Sequence, residues 1–305
     1  MPLLSQLQQF RGLFFALLSG VVWSVNALGV VLTVETVSPT VLCFAFFLCN
    51  IFAVPFINWD LNNSYTSVHM LTIFVSSLLD VTLLLTAYSS FAFINFGNAS
   101  ALIYSKTLFC GVLGWLILGE RFSKLDLLLL VIHFGGVILV SQPEFLFGQQ
   151  NLVDPTSNLI GCTLALAGAL SSSLEFITLR YLVESQAFDT ALLLFTKCVV
   201  GVPVVATLSF YIMPAHRYIR TLTELGYVAF TCFSGLLAYG LTVIALRTED
   251  TKTVAALVSV EVVLSFVFQI TFIGENTDWF SVSGAILILL VLLVYCGEGI
   301  YYQNR

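Results

Sequence analysis

Apolar runs of about twenty positions recur along the 305 residues, separated by short polar interruptions. That length carries a helix across the hydrocarbon core of a bilayer. Loop residues delimit ten runs, at 12–34, 40–58, 69–94, 98–118, 125–142, 158–182, 188–213, 222–247, 252–273 and 280–301. The pattern predicts an all-α membrane protein with ten transmembrane helices. Only Asn95 to Gly97 separates the third run from the fourth. Most connections are short and leave no room for a water-soluble domain. The longest link, Pro143 to Ser157, contains Pro143, Gly148 and Pro155 and lies near the middle of the chain.

Composition agrees with that pattern. Charged residues are 9% of the chain, hydrophobic residues 59%, and the mean hydropathy is +1.00. A soluble domain carries about a quarter charged residues, so lipid is the main solvent for this exterior. The net charge of −6 comes without any basic run, which argues against a nucleic-acid partner. Cys43, Cys49, Cys110, Cys162, Cys198, Cys232 and Cys296 all fall inside apolar runs without zinc-site spacing. They are read as small packing residues, with neither metal nor disulfide implied. The first run is too long for a signal-peptide core and is read as a retained helix. Tyr301-Tyr302-Gln303-Asn304-Arg305 shows no lipidation or retention motif.

Lysine and arginine set the expected orientation. With the N-terminus in the cytosol, Arg11, Arg121, Lys124, Arg180, Arg247, Lys252 and Arg305 are cytosolic, against Arg217 and Arg220 on the opposite side. Both termini are therefore expected in the cytosol. The sequons at Asn62 and Asn98 are expected to stay unused, the first in a cytosolic loop and the second against the membrane.

The chain also resembles itself. Ala16, Gly20 and Ser24 match Ala165, Ala169 and Ser173 at an offset of 149, each trio placing a small residue every fourth position. Ala101-Leu102 matches Ala256-Leu257, and Gly119-Glu120 matches Gly274-Glu275, both at an offset of 155. The expected division is a first five-helix repeat over 1–142, a non-cytosolic link over 143–157, and a second repeat over 158–305. Five crossings per repeat invert the second copy relative to the first, the geometry of many secondary transporters.

Glycine-glutamate pairs closing the fourth and ninth spans, with a helix carrying Gly135-Gly136-Val137, resemble the drug/metabolite transporter superfamily with paired EamA-type domains. Three stretches resemble the G subgroup of the solute carrier 35 family: Asp80 to Tyr88, Gly136 to Gly148, and Phe266 to Ile270. The resemblance implies a ten-helix carrier fold but names no solute.

Candidate chemistry rests on the ionisable groups well inside the spans: Asp80, Lys106, His133, Glu175, Lys197 and Glu261. A charge at the bilayer centre costs about 3 kcal/mol by insertion scales, so such groups usually face a cavity or a partner. Lys106 and Glu261 are equivalent at the 155 offset, and Glu175 aligns with Asn26 at 149. Lys106, Lys197, Glu261 and Glu175 are the candidate solute-binding residues; Glu261, Glu175 and Asp80 are the candidates for proton coupling. For each a packing alternative stands beside the functional one. Lys106 with Glu261, or Glu175 with Lys197, could form a fixed ion pair, and Asp80 could sit near the interface. His133 fits a hydrogen-bonded packing role, and Glu120 and Glu275 fit helix-end roles. Tyr88, Tyr104 and Tyr239 suit either a cavity or an interface. Three acids against two lysines leave one carboxylate unpaired if all are ionised, so one is expected to be protonated in some state.

No His-Glu-x-x-His, Gly-x-Ser-x-Gly or P-loop occurs, which argues against an enzyme, and no cofactor or metal is expected. The function expected is secondary transport of a small organic solute, an anion by the lysine count, through alternating access. A non-transporting membrane regulator that keeps the carrier fold is the alternative. Either the plasma membrane or an endomembrane suits this multi-pass chain. Tags placed at residues 1, 148 and 305 should place the two ends together in the cytosol, and 148 on the opposite side, when probed before and after selective permeabilisation. All three on one side would refute the five-span half-count.

Overall fold

A computed structural model of the chain describes residues 11–34, 36–57, 66–91, 93–94, 99, 102–141, 144–147, 155–184, 189–212, 218–268, 271 and 279–303. Among these residues the structure is helical and contains no strand. Helix α1 is Arg11–Val34, α2 is Pro39–Cys49, extended by a 3-10 segment at Asn50–Phe56, and α3 is Ser67–Ser90. Helix α4 is Lys106–Leu113, continued by a π turn at Gly114–Leu118, and α5 is Lys124–Ser141. After a single turn at Glu144–Phe147 come α6 (Pro155–Glu184), α7 (Thr190–Ile212) and α8 (Leu222–Leu246). The series closes with α9 (Thr251–Val258), α10 (Val260–Phe268) and α11 (Trp279–Gln303).

Six stretches of helix are long and apolar enough to cross a membrane: Arg11–Val34, Pro39–Phe56, Ser67–Ser90, Leu159–Val183, Thr190–Ser209 and Leu222–Leu246. Shorter apolar helices run over Leu102–Leu118 and Trp279–Tyr295. Large apolar side chains cover the outside, among them Phe14, Phe56, Leu71, Leu159, Phe233 and Leu293. In water these would form an unstable surface; in lipid they need no cover.

The packing follows the internal repeat. The most extensive contacts pair α1 with α8, α3 with α6, and α5 with α11. Exchanging the two halves sends α1 to α6 and α8 to α3, so the first two pairs are copies of one another. The third pair maps onto itself and marks the pseudo-two-fold axis. There Gly136 and Gly284 cross at close range. A Cβ on Gly136 would lie 2.9 Å from the Gly284 carbonyl, and one on Gly284 would lie 2.5 Å from the Gly136 carbonyl. Only residues without a side chain allow that approach, as small residues do at many membrane-helix interfaces.

The fourth and ninth spans, expected as continuous helices over 98–118 and 252–273, are each interrupted. The first breaks at Ser105, between a turn at 102–104 and α4; the second breaks at Ser259, between α9 and α10. The two breaks are one residue out of step in the repeat alignment. At each the chain tightens by one turn, with the Ser105 N–H donating to Leu102 O (3.2 Å) and the Ser259 N–H to Ala256 O (3.1 Å). Each serine hydroxyl donates to that same carbonyl, at 2.6 Å for Ser105 and 2.5 Å for Ser259. The apolar windows carried no sign of these breaks, because a hydroxyl that bonds back to its own helix leaves the hydropathy pattern intact.

The small-residue stripes seat the breaks. Gly20 packs on the Val258 carbonyl, where a Cβ would come within 2.6 Å, so α1 lies directly against the Ser259 break. In the other half the hydroxyl of Ser173, the last residue of the matching stripe, is shared between its own helix at Ala169 O (2.7 Å) and the Lys106 carbonyl (3.1 Å). Replacing Gly136 by leucine should drive α5 from α11 and destabilise the bundle by about 2 kcal/mol, in the range of overpacked cores. The fall in thermal midpoint of the detergent-purified protein measures it, and an unchanged midpoint would contradict the described crossing.

Candidate functional site

The intramembrane charges come together in two adjoining groups near the helix breaks. The first is fully enclosed. Lys197 of α7 is 1% exposed, and its Nζ donates to Glu175 Oε1 of α6 at 2.5 Å. The same Nζ stands 2.9 Å from Asp80 Oδ2 of α3, at an angle that makes a close ion contact and not a hydrogen bond. The ring of Tyr239 from α8 lies under the ammonium, with its centroid 3.6 Å away. Its hydroxyl is turned toward Glu175 without closing a hydrogen bond. Helix pairing explains the convergence: α3 packs on both α6 and α7, so one face of α3 delivers Asp80 between the other two. Taking charges into such an interior costs several kcal/mol each unless partners compensate, and one ammonium here serves two carboxylates.

The second group is half-open. Lys106 and Glu261, one residue past the Ser105 break and two past the Ser259 break, both keep partial exposure. Lys106 lies over the rings of Tyr104 (4.8 Å) and Phe176 (5.6 Å). Among the described residues it makes no ion pair within 4.0 Å. Glu261 lies beside the Tyr104 hydroxyl and within electrostatic reach of Lys106. The two break positions differ in their own fields. A helix N-terminus carries a partial positive charge, which Glu261 in the first turn of α10 offsets. Lys106 opens α4 and adds its charge to the same end, leaving that break electropositive. Tyr104, Phe176 and Tyr239 share one apolar cluster, with Trp23 packed against it and its Nε1–H donating to Thr242 Oγ1 (3.3 Å).

The other candidates fall into structural places. His133 of α5 is buried and shares a 2.5 Å hydrogen bond with the Ser259 hydroxyl. That hydroxyl also lies 2.5 Å from Ala256 O, so the serine bridges the histidine ring and its own helix. Asn26, the repeat partner of Glu175, donates to Thr231 O (2.6 Å) and carries no charge to the site. Tyr88 is buried, and its hydroxyl makes no hydrogen bond among the described residues. Glu275 and both sequons lie outside the described residues.

Glu120 follows Gly119, whose φ of +68° ends the span in a left-handed turn. Its carboxylate accepts from the Thr251 N–H (2.9 Å) and from the Thr251 hydroxyl, closing the N-terminus of α9 in the opposite half. Burial pushes the Glu120 carboxyl above its ordinary range, against those two hydrogen bonds, which favour the ionised form. Next to it Lys252 donates to Arg121 O (2.5 Å) and pairs with Asp126 Oδ2 (2.8 Å). Arg180 Nη1 donates to Leu246 O (2.5 Å), and Arg247 Nη2 to Thr190 Oγ1 (3.2 Å). The Glu120–Thr251, Lys252–Arg121 and Lys252–Asp126 contacts tie the two halves together here, while the two arginine contacts lie within the second half. Sequence reading found Glu120 but missed this cross-half clamp, since Thr251 and Asp126 look like ordinary helix-start residues.

The comparisons with known proteins bear on the whole chain. The EamA-like transporter family matches twice, over residues 10–142 and 159–296. Human "Solute carrier family 35 member G1" is 25% identical over 287 residues, 91% of this chain and 76% of that protein. The mouse protein of the same name is 25% identical over 226 residues, 72% of this chain and 60% of its own length. A solved structure titled "Crystal structure of protein" superposes with a TM-score of 0.74 at 15% identity, covering 93% of this chain and 97% of that one, and so shares the fold.

The geometry makes the two lysines distinguishable. With the native cysteines replaced, cysteines at 106 and 261 should react with a water-soluble maleimide, and a cysteine at 197 should stay at least tenfold slower. Equal inertness at all three, with normal labelling of a loop control, would mean that Lys106 and Glu261 are sealed packing residues.

Proposed function

Because the chain belongs to the EamA-like transporter family and is a multi-pass integral membrane protein, we propose that it is a secondary transporter of a small organic anion. Alternating access between two inverted five-helix halves would move the solute past a central site. The observation that carries the reading is the pair of repeat-related helix breaks at Ser105 and Ser259, which set Lys106 and Glu261 half-exposed in an apolar interior. Broken helices at mid-membrane are where secondary transporters bind solutes and coupling ions.

Lys106 is the residue we assign to the anionic group. It has no carboxylate within ion-pair distance among the described residues, and the start of α4 adds to its field. Tyr104 and Phe176 offer apolar surface to the body of the solute. Glu261 sits across from it for a cationic or hydrogen-donating group. Lys197, a candidate on sequence grounds, is committed to Asp80 and Glu175 and serves the site from behind. The clamp of Glu120 and Lys252 on the opposite half holds one end shut, and it must part for the site to open there. Its wealth of lysine and arginine assigns that end to the cytosol.

Counterflow in proteoliposomes against a panel of labelled carboxylates, phosphorylated metabolites and zwitterions tests the reading. Saturable uptake of an anionic member is expected, with Lys106→Gln lowering its apparent affinity about tenfold or more, the loss of one charge-assisted contact. No uptake above protein-free vesicles for any member would favour the non-transporting regulator.

A further inference from the structure

Five intramembrane charges form one connected field, and its excess charge can be located. Asp80, Glu175 and Glu261 face Lys106 and Lys197, so full ionisation leaves one negative charge over. Glu261 keeps partial exposure and has Tyr104 and Lys106 beside it. Asp80 and Glu175 are 4% and 2% exposed and share the single ammonium of Lys197. The groups facing Glu175 are Asp80 from α3, Lys197 from α7, Lys106 from α4 and Tyr239 from α8. Those facing Asp80 are Lys197, Glu175, Tyr88, Tyr239 of α8 and the Cys43 thiol of α2. Among the described residues Lys197 alone stands within ion-pair distance of the two carboxylates, and Lys106 acts on Glu175 only from farther off. Two carboxylates in one dry site do not both stay ionised beside a single positive charge.

We propose that Asp80, Glu175 and Lys197 form a proton-binding site separate from the solute site, and that Lys106 links the two so that proton and anion bind cooperatively. The proton belongs to the carboxyl pair and not to either residue alone. When water reaches the pair, the proton passes from a carboxyl oxygen to water and leaves Lys197 between two carboxylates. Lys106 is brought near Glu175 by the packing of α4 on α6, with its ammonium 5.6 Å from the ring of the adjacent Phe176, and a positive charge there favours the deprotonated pair. An anion docked on Lys106 cancels that influence, so the proton is held more tightly while solute is bound. By linkage, the proton strengthens anion binding by the same factor. Solute and proton then cross together, in the same direction. The assignment of Lys106 to the anion rests on the transport reading above; the proton site does not.

Infrared pH-difference spectra of the full-length reconstituted protein test the site without any solute. Wild type should show a buried carboxylic-acid carbonyl band that disappears as pH rises between about 5 and 9, the reach of perturbed carboxyl groups. Glu175→Gln and Asp80→Asn should each remove the band, while Glu261→Gln should keep it. Lys106→Gln, which imitates a neutralised lysine, should move the midpoint upward by about tenfold in proton affinity, and Lys106→Arg should return it. Thermal melts identify any variant that has not folded, and the two carboxyl variants test the pair independently. Absence of the wild-type band, its loss in Glu261→Gln alone, or a midpoint indifferent to Lys106→Gln overturns the proposal. Where the counterflow panel yields a transported anion, an inward proton gradient should drive its accumulation in wild type. In Glu175→Gln that drive should vanish while exchange persists. A normal infrared titration with gradient-independent flux would keep the proton site and refute the coupling.

Discussion

A peptide group in hydrocarbon has no water to bond, so every helix break inside a membrane must be satisfied by the protein itself. The breaks at Ser105 and Ser259 depend on that constraint, and the neighbouring structure is arranged to meet it. Each serine hydroxyl bonds back to the carbonyl three residues earlier. Ser173 covers the Lys106 carbonyl, and His133 holds the Ser259 hydroxyl. The close seat of α1 on Val258, made possible by Gly20, keeps lipid from the second break. Remove this enclosure and two half-helices would expose unpaired backbone to the bilayer.

The same enclosure governs the electrostatics. Lys106 and Glu261 project from the breaks, so whatever opens the breaks to water also reaches these two side chains. Lys197, Asp80 and Glu175 lie one layer deeper, where three helices meet and little solvent enters. Charge at that depth is stable only when shared, and the 2.5 and 2.9 Å contacts of Lys197 show the sharing. The layering separates a partly exposed pair of charges from a fully buried cluster.

The end carrying the Glu120 and Lys252 clamp shows how imperfect the internal symmetry is. The Lys252–Asp126 pair has Gly97 and Ser281 at the repeat-equivalent positions, so its ion pair has no charged copy in the other half. A two-fold pattern of backbones is thus combined with a one-sided pattern of charge.

Much of this protein was legible in the order of its residues. Lipid exposure, helical spans, the repeat and the identities of the buried charges follow from composition and spacing, because hydrocarbon admits so few backbone solutions. The match of Lys106 with Glu261 was visible as an offset, and so were the stripes at Gly20 and Ser173. The partners of those charges were not. Lys197 is 117 residues from Asp80 and 22 from Glu175, and no local pattern says that it pairs with both while Lys106 has no carboxylate within 4.0 Å among the described residues. The breaks themselves were hidden for a related reason: a serine inside an apolar run reads the same whether its helix continues or turns. Hydropathy is a property of single residues summed along the chain, and it marked the six long apolar helices. Pairing, burial and helix interruption are properties of neighbours in space: the packing of α3, α6 and α7 decided the first two, and the seating of α1, Ser173 and His133 on the breaks accompanies the third.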